Sequence, residues 1–258
     1  MGRRSRLGPR RRSRAPDTEP ERSLTRLRAR GTQLHLQPSE GPPRHPRQEP
    51  DLRIGWWWHH GGRTVILGTQ VVSILRPTEV EGGPLRFLAA QQIVIVGTGG
   101  PEPGGVQRAR GAGLILDPAV PAARTHAVPP TRTPKALERL IGETVELHVT
   151  GGDTVEHGGA VCHEGTDRMP APRGRLVAAQ ANDRHLMLIL DDLTVAVLHE
   201  PCRVHQGDDG TVWLDGDVGR VVLDLPDADV HVARDATLQI RATGGGPGRA
   251  PTGRSRFT

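Results

Sequence analysis

The chain contains no Tyr, two Phe and four Trp in 258 residues. Aromatic side chains normally supply the largest single parcels of buried area, roughly 150–250 Å² each. A core built without them must be assembled from Val, Leu, Ile and Ala. The β-branched members of that set favour pleated, half-buried surfaces. The scarcity extends to Lys, with Lys135 alone against 33 Arg, while Gly and Pro reach 33 and 23 residues. Residues with GC-rich codons are in excess and those with AT-rich codons are depleted. That bias also fits a reading frame on which no function was selected.

The net charge of +5 is unevenly spread. Residues 1–52 carry 13 Arg against 6 acidic residues, and residues 243–258 carry three Arg and no acid. The stretch between them is acidic, at −5. The basic character belongs to the ends, and the acidic middle argues against a nucleic-acid groove on the folded part. Residues 1–52, dense in Arg, Pro and Ser, read as a disordered arm. Leu24 and Leu27 in Glu21–Arg30 give only a weak helical stripe. Residues 243–258 read as a disordered tail.

Between the ends, the pattern predicts a mainly β chain: short antiparallel strands in a sandwich or barrel-like arrangement, with one short helix. Residues 53–116 form a first β-rich region. It contains Arg63–Leu75 and Leu85–Val96, joined by turn chemistry at Pro77, Gly82, Gly83 and Pro84. Residues 117–134 hold five prolines and read as a linker. Residues 135–242 form a second β domain. It opens with a helix over Lys135–Ile141, which Thr133 is expected to cap, with Pro134 in first position and Gly142 as the stop. Thr144–Thr150 alternates, with Val145, Leu147 and Val149 on one face. Short strands follow at Arg175–Ala181, His185–Leu190, Leu193–Leu198, Thr211–Leu214, Arg220–Leu225, Asp229–Ala233 and Thr237–Arg241, with turn residues between them.

The strongest chemical constellation is a Cys/His cluster in two expected loops. One holds His157, Cys162 and His163; the other holds His199, Cys202 and His205. Zinc favours tetrahedral Cys and His sets contributed by pairs of loops. Cys162, His163, Cys202 and His205, with His199 as the alternative fourth ligand, are the expected metal ligands. A Cys162 nucleophile with a distant His base is the weaker reading, since neighbouring residues in a strand point to opposite sides. Val94–Gly100 has a Gly-rich loop after a strand, but Pro101 and Pro103 oppose the helix that a phosphate site needs. Trp56–His60 places Trp56 and Trp58 on one face of a strand and Trp57 on the other, as local core.

Two Cys allow at most one disulfide. No apolar run approaches 18 residues, and the Arg-rich start lacks a secretory h-region, so the expectation is a cytoplasmic protein without a membrane partner. No catalytic activity is recognisable. The alternatives are a zinc-stabilised β binding module and a protein that associates with nucleic acid through Arg3, Arg4, Arg6, Arg10, Arg11, Arg12 and Arg14.

Overall fold

The computed structural model describes residues 18–28, 32–37, 52–98, 105–118, 130–156, 162–163, 169–199, 203–215 and 220–243. The first half runs α1 (Glu19–Arg28), β1 (Thr32–Gln37), β2 (Ile54–His60), β3 (Arg63–Gly68), β4 (Val71–Leu75), β5 (Glu79–Glu81), β6 (Leu85–Ala90), β7 (Gln92–Thr98), β8 (Gly105–Ala109) and β9 (Ala112–Pro118). The second half runs α2 (Lys135–Glu138), β10 (Thr144–Thr150), β11 (Asp153–Glu156), β12 (Cys162–His163), β13 (Arg173–Ala181), β14 (His185–Leu190) and β15 (Val195–His199). It ends with β16 (Arg203–Gln206), β17 (Val212–Asp215), β18 (Arg220–Asp224), β19 (Val230–Arg234) and β20 (Thr237–Ala242). The chain is mainly β, with antiparallel pairing throughout.

The strands stack as four layers around three apolar cores. The first layer is a sheet of order β1-β9-β6-β5, and the second is β2-β3-β4-β7-β8. Ile66, Val72, Ile74, Ile93 and Ile95 from the second layer meet Leu85, Phe87, Leu114 and Leu116 from the first. The remaining eleven strands form one sheet, β12-β11-β19-β18-β15-β14-β13-β10-β20-β17-β16. That sheet doubles over on itself. Leu186, Leu188, Ala196 and Leu223 on one part share a core with Val145, Leu147, Leu214 and Ile240 on the other. The corner is β13, whose first residues pair with β10 and whose later residues pair with β14. A bulge between Leu176 and Ala178 marks the change of partner, as expected where one strand serves two sheets.

The third core joins the two halves. Val65, Leu67, Val71, Val94 and Val96 of the second layer pack on Met187, Ile189, Val195, Val197, Val222 and Val232 of the third. Strands in these inner layers are apolar on both faces, which is why β3, β4 and β14 are buried at every position. The outer strand β10 is buried only at alternate residues, Val145, Leu147 and Val149.

One polar network lies in the wall between the second and third layers. Arg63 on β3 is fully buried, and its Nη1 lies 3.0 Å from Asp224 Oδ2 on β18. Its guanidinium also donates to the Asp224 carbonyl and the Leu225 carbonyl, both at 3.0 Å. Gln92 Nε2 donates to Asp224 Oδ1 at 2.7 Å, and Arg108 Nε donates to Gln92 Oε1 at 3.0 Å. Burial pushes the Arg63 guanidinium below its ordinary pKa, and the Asp224 charge opposes that shift.

Among the described residues there are two helices where the sequence predicts one. α1 and β1 fall in the stretch whose composition reads as a disordered arm. Leu24, Leu27 and Leu34 are buried in the first core, so packing supplies what the weak local pattern does not. At α2 the expected Thr133 cap is not formed. The N-cap is Pro134 without a side-chain bond, and Thr133 Oγ1 accepts from Gln180 Nε2 at 2.8 Å. The helix is also shorter than the expected Lys135–Ile141: it ends at Glu138 with Arg139 as C-cap, and Gly142, in the left-handed region at φ 94°, closes the turn that follows.

Removing one partner of the buried pair leaves the other charged and uncompensated, at a typical cost of about 3–5 kcal/mol. Arg63→Met and Asp224→Leu should each lower the urea midpoint strongly. The double variant should recover most of that loss; three equal midpoints would mean that the pair does not hold the layers together.

Candidate functional site

The expected metal ligands among the described residues lie on two strands that are not neighbours in the sheet. Cys162 and His163 form β12, in register with Val155 and Thr154 of β11, at one end of the eleven-strand sheet. His205 lies on β16, opposite Trp213, at the other end. Both segments were expected as loops and are short edge strands; period-two patterning is too brief there to be read. Cys202 and His157 lie outside the described residues. Among the described residues no group of three or more His, Cys, Asp or Glu is placed to hold a metal ion. A chelator tests the set directly. If Cys162, His163, Cys202 and His205 hold zinc, EDTA lowers the melting temperature and Cys202→Ser abolishes that response.

His199, the alternative fourth ligand, has a different neighbour. It ends β15 directly opposite His185, the first residue of β14. His199 Nδ1 and His185 Nε2 are 2.9 Å apart, so one ring donates to the other. The pair sits at the edge of the third core, beside β7. A Cβ at Gly97 would lie 2.8 Å from His185 Nε2, and Gly97 has φ 93°, so both the space and the backbone require glycine there. The neighbouring β13–β14 turn reaches the second layer through Asn182 Nδ2, which donates to the Gly68 carbonyl at 2.8 Å. Burial, with lesser repulsion from His199 and Arg184, pushes the His185 pKa down to about 3.

On the other side of that turn lies a cavity of about 550 Å³. Ala181, Leu186 and Val204 give it apolar lining, and Arg132, Lys135, Glu138 and Asp183 give it charges of both signs. Composition alone does not point to this cavity, because its lining comes from three separate segments.

The basic N-terminal segment meets the folded body at α1. The sequence there is a capping box, Thr18-x-x-Glu21, with Glu21 Oε2 accepting from Thr18 N at 2.6 Å. Glu19 and Glu21 lie in the first turn and Arg26 and Arg28 in the last, matching the helix dipole. Pro20, Ser23, Leu24 and Leu27 are buried, while Arg22, Arg26 and Arg28 are exposed. The Glu19 carboxylate packs on Gly82 in the β5–β6 turn. The seven arginines from Arg3 to Arg14 precede this helix and lie outside the described residues.

Trp56 and Trp58 pack against the third core and Trp57 against the first. The three indoles thus straddle β2 as local core, in the expected orientation. The Gly-rich loop after β7 is outside the described residues from Gly99 to Gly104. No helix among the described residues is long and apolar enough to cross a membrane. No family model, curated protein or solved structure matches this chain.

The His185 shift has a definite consequence for stability. Its folded pKa lies below the ordinary value of 6.5, so the unfolded chain binds the proton more readily. The stabilisation is complete above pH 6.5 and is lost as pH falls, by up to about 1.4 kcal/mol per unit. Unfolding by urea at pH 7 and pH 5 should show this loss, and His185→Gln should reduce it.

Proposed function

We propose that this chain associates with nucleic acid, with its arginine-rich N-terminal segment supplying affinity for phosphate backbones. The observation that carries the reading is the seating of α1. Its apolar side is fixed to the first core, and it turns Arg22, Arg26 and Arg28 to solvent. The seven arginines of residues 3–14 precede a helix that is itself anchored in the core and exposes three further arginines. Contacts of this kind go to phosphates, carry no sequence information and weaken steeply with salt. The reading assigns binding and no catalytic step.

The layered cores support a chain selected to fold. Burial on both faces is met by continuous apolar runs and burial on one face by alternation, so local pattern and tertiary position agree.

Full-length protein in which the seven arginines from Arg3 to Arg14 are replaced by Gln should lose at least tenfold in duplex DNA affinity at low salt. The slope of log affinity against log salt should shrink by up to ~0.9 per lost phosphate contact. An unchanged slope and affinity would place the contacts elsewhere. Arg22→Gln with Arg26→Gln should add to the loss with little change in the melting temperature, since both side chains are exposed.

A further inference from the structure

The outer face of the fourth layer, formed by β10, β20, β17 and β16, presents one aromatic residue in a polar row. Strand register aligns His148, Gln239, Trp213 and His205 across these four strands. At ~4.8 Å per strand the row spans ~14 Å. Leu147, Ile240, Leu214 and Leu238 point to the opposite side, into the core. Trp213 is half-buried and His205 is exposed. Trp213 is thus as accessible as the three indoles of β2, but it stands on the side of its strand opposite Leu214, which enters the core.

Cations flank this row on both sides. Arg241 and Arg173 lie in register with Glu146 on one side, and Arg203 lies next to His205 on the other. Arg173, Arg203 and Arg241 are all exposed. Glu146 is engaged by its own neighbour, with His148 Nε2 3.1 Å from Glu146 Oε2. Asp215 is the register partner of Arg203. In the β16–β17 turn, the Asp209 carboxylate is turned toward Thr211, accepting from its amide at 2.9 Å and its hydroxyl at 2.8 Å. The chain leaves β20 toward a tail that carries Arg249, Arg254 and Arg256 and no acidic residue. With Glu146, Asp208, Asp209 and Asp215 on this face or in its turn beside Arg173, Arg203 and Arg241, the charge here is mixed, and the arginines stand in register rows on either side of Trp213.

We infer that this face is a stacking surface for single-stranded nucleic acid, with a base on Trp213 and phosphates at Arg241, Arg173 and Arg203. An indole on the outer side of a sheet and bordered by arginines suits unpaired bases, whose faces are open, and not a duplex, whose faces are stacked. The inference deepens the nucleic-acid reading by naming the strand state, and it uses a surface separate from α1.

The test uses full-length protein, oligouridine, and a DNA duplex of equal length. Oligouridine should quench tryptophan emission and bind roughly tenfold more weakly to Trp213→Leu, the usual scale for one lost stacked base. Trp213→Phe should keep most of the affinity, which separates stacking from a folding defect. Duplex affinity should be the same in all three proteins. Equal oligouridine affinity in wild type and Trp213→Leu overturns the inference, whatever the arm does. Loss in Trp213→Leu, with no loss on replacing the Arg3–Arg14 arginines, keeps this surface and overturns the arm reading.

Discussion

Arg63 carries a charge into the wall between two sheets, and the layers on either side are arranged around its neutralisation. Its guanidinium donors reach the carboxylate and carbonyl of Asp224 and the carbonyl of Leu225. Those partners belong to the third layer, while Arg63 belongs to the second. Sliding one layer over the other would strand a buried charge, whereas the Val and Leu contacts around it tolerate small shifts. The pair therefore sets the register of a packing that the apolar residues alone would leave loosely specified. Gln92 and Arg108 extend the network to the Ala228 carbonyl, which Arg108 and Arg110 both reach at 2.6 Å.

The opposite edge of the same wall is closed by neutral groups. His185 and His199 share one hydrogen bond beside Gly97, and Asn182 reaches Gly68. A charged pair closes one edge, and a hydrogen-bonded histidine pair, with His185 disfavoured from protonation by burial, closes the other. The outward sides of the stack, at α1 and at the fourth layer, carry the exposed arginines. The interior is spent on cohesion and the surface holds the chemistry available for binding.

Much of this was readable residue by residue. β10 and β14 have the expected bounds, because alternation in one and a continuous apolar run in the other are unambiguous. The orientation of the three consecutive tryptophans followed from the two-residue period of a strand. The short strands β5, β8, β11, β12 and β16 were not legible, since two to five residues give no measurable period and their pairing comes from a neighbour already in place. α1 was visible only as a weak stripe, because its stability comes from the core under Leu24 and Leu27. For the binding surfaces, sequence showed the arginine run. It did not show the row through Trp213, whose members are separated by up to 91 positions (His148 to Gln239).

The sequence by itself determined that the chain would be β, that its core would be aliphatic, and that its basic charge would gather at the ends. These are properties of composition and short-range period. Only the tertiary structure decided that the strands form four layers with three cores, that Arg63 and Asp224 are partners, and which exposed residues share a face. Those outcomes depend on contacts between residues far apart in the chain, and no local pattern encodes which buried face meets which.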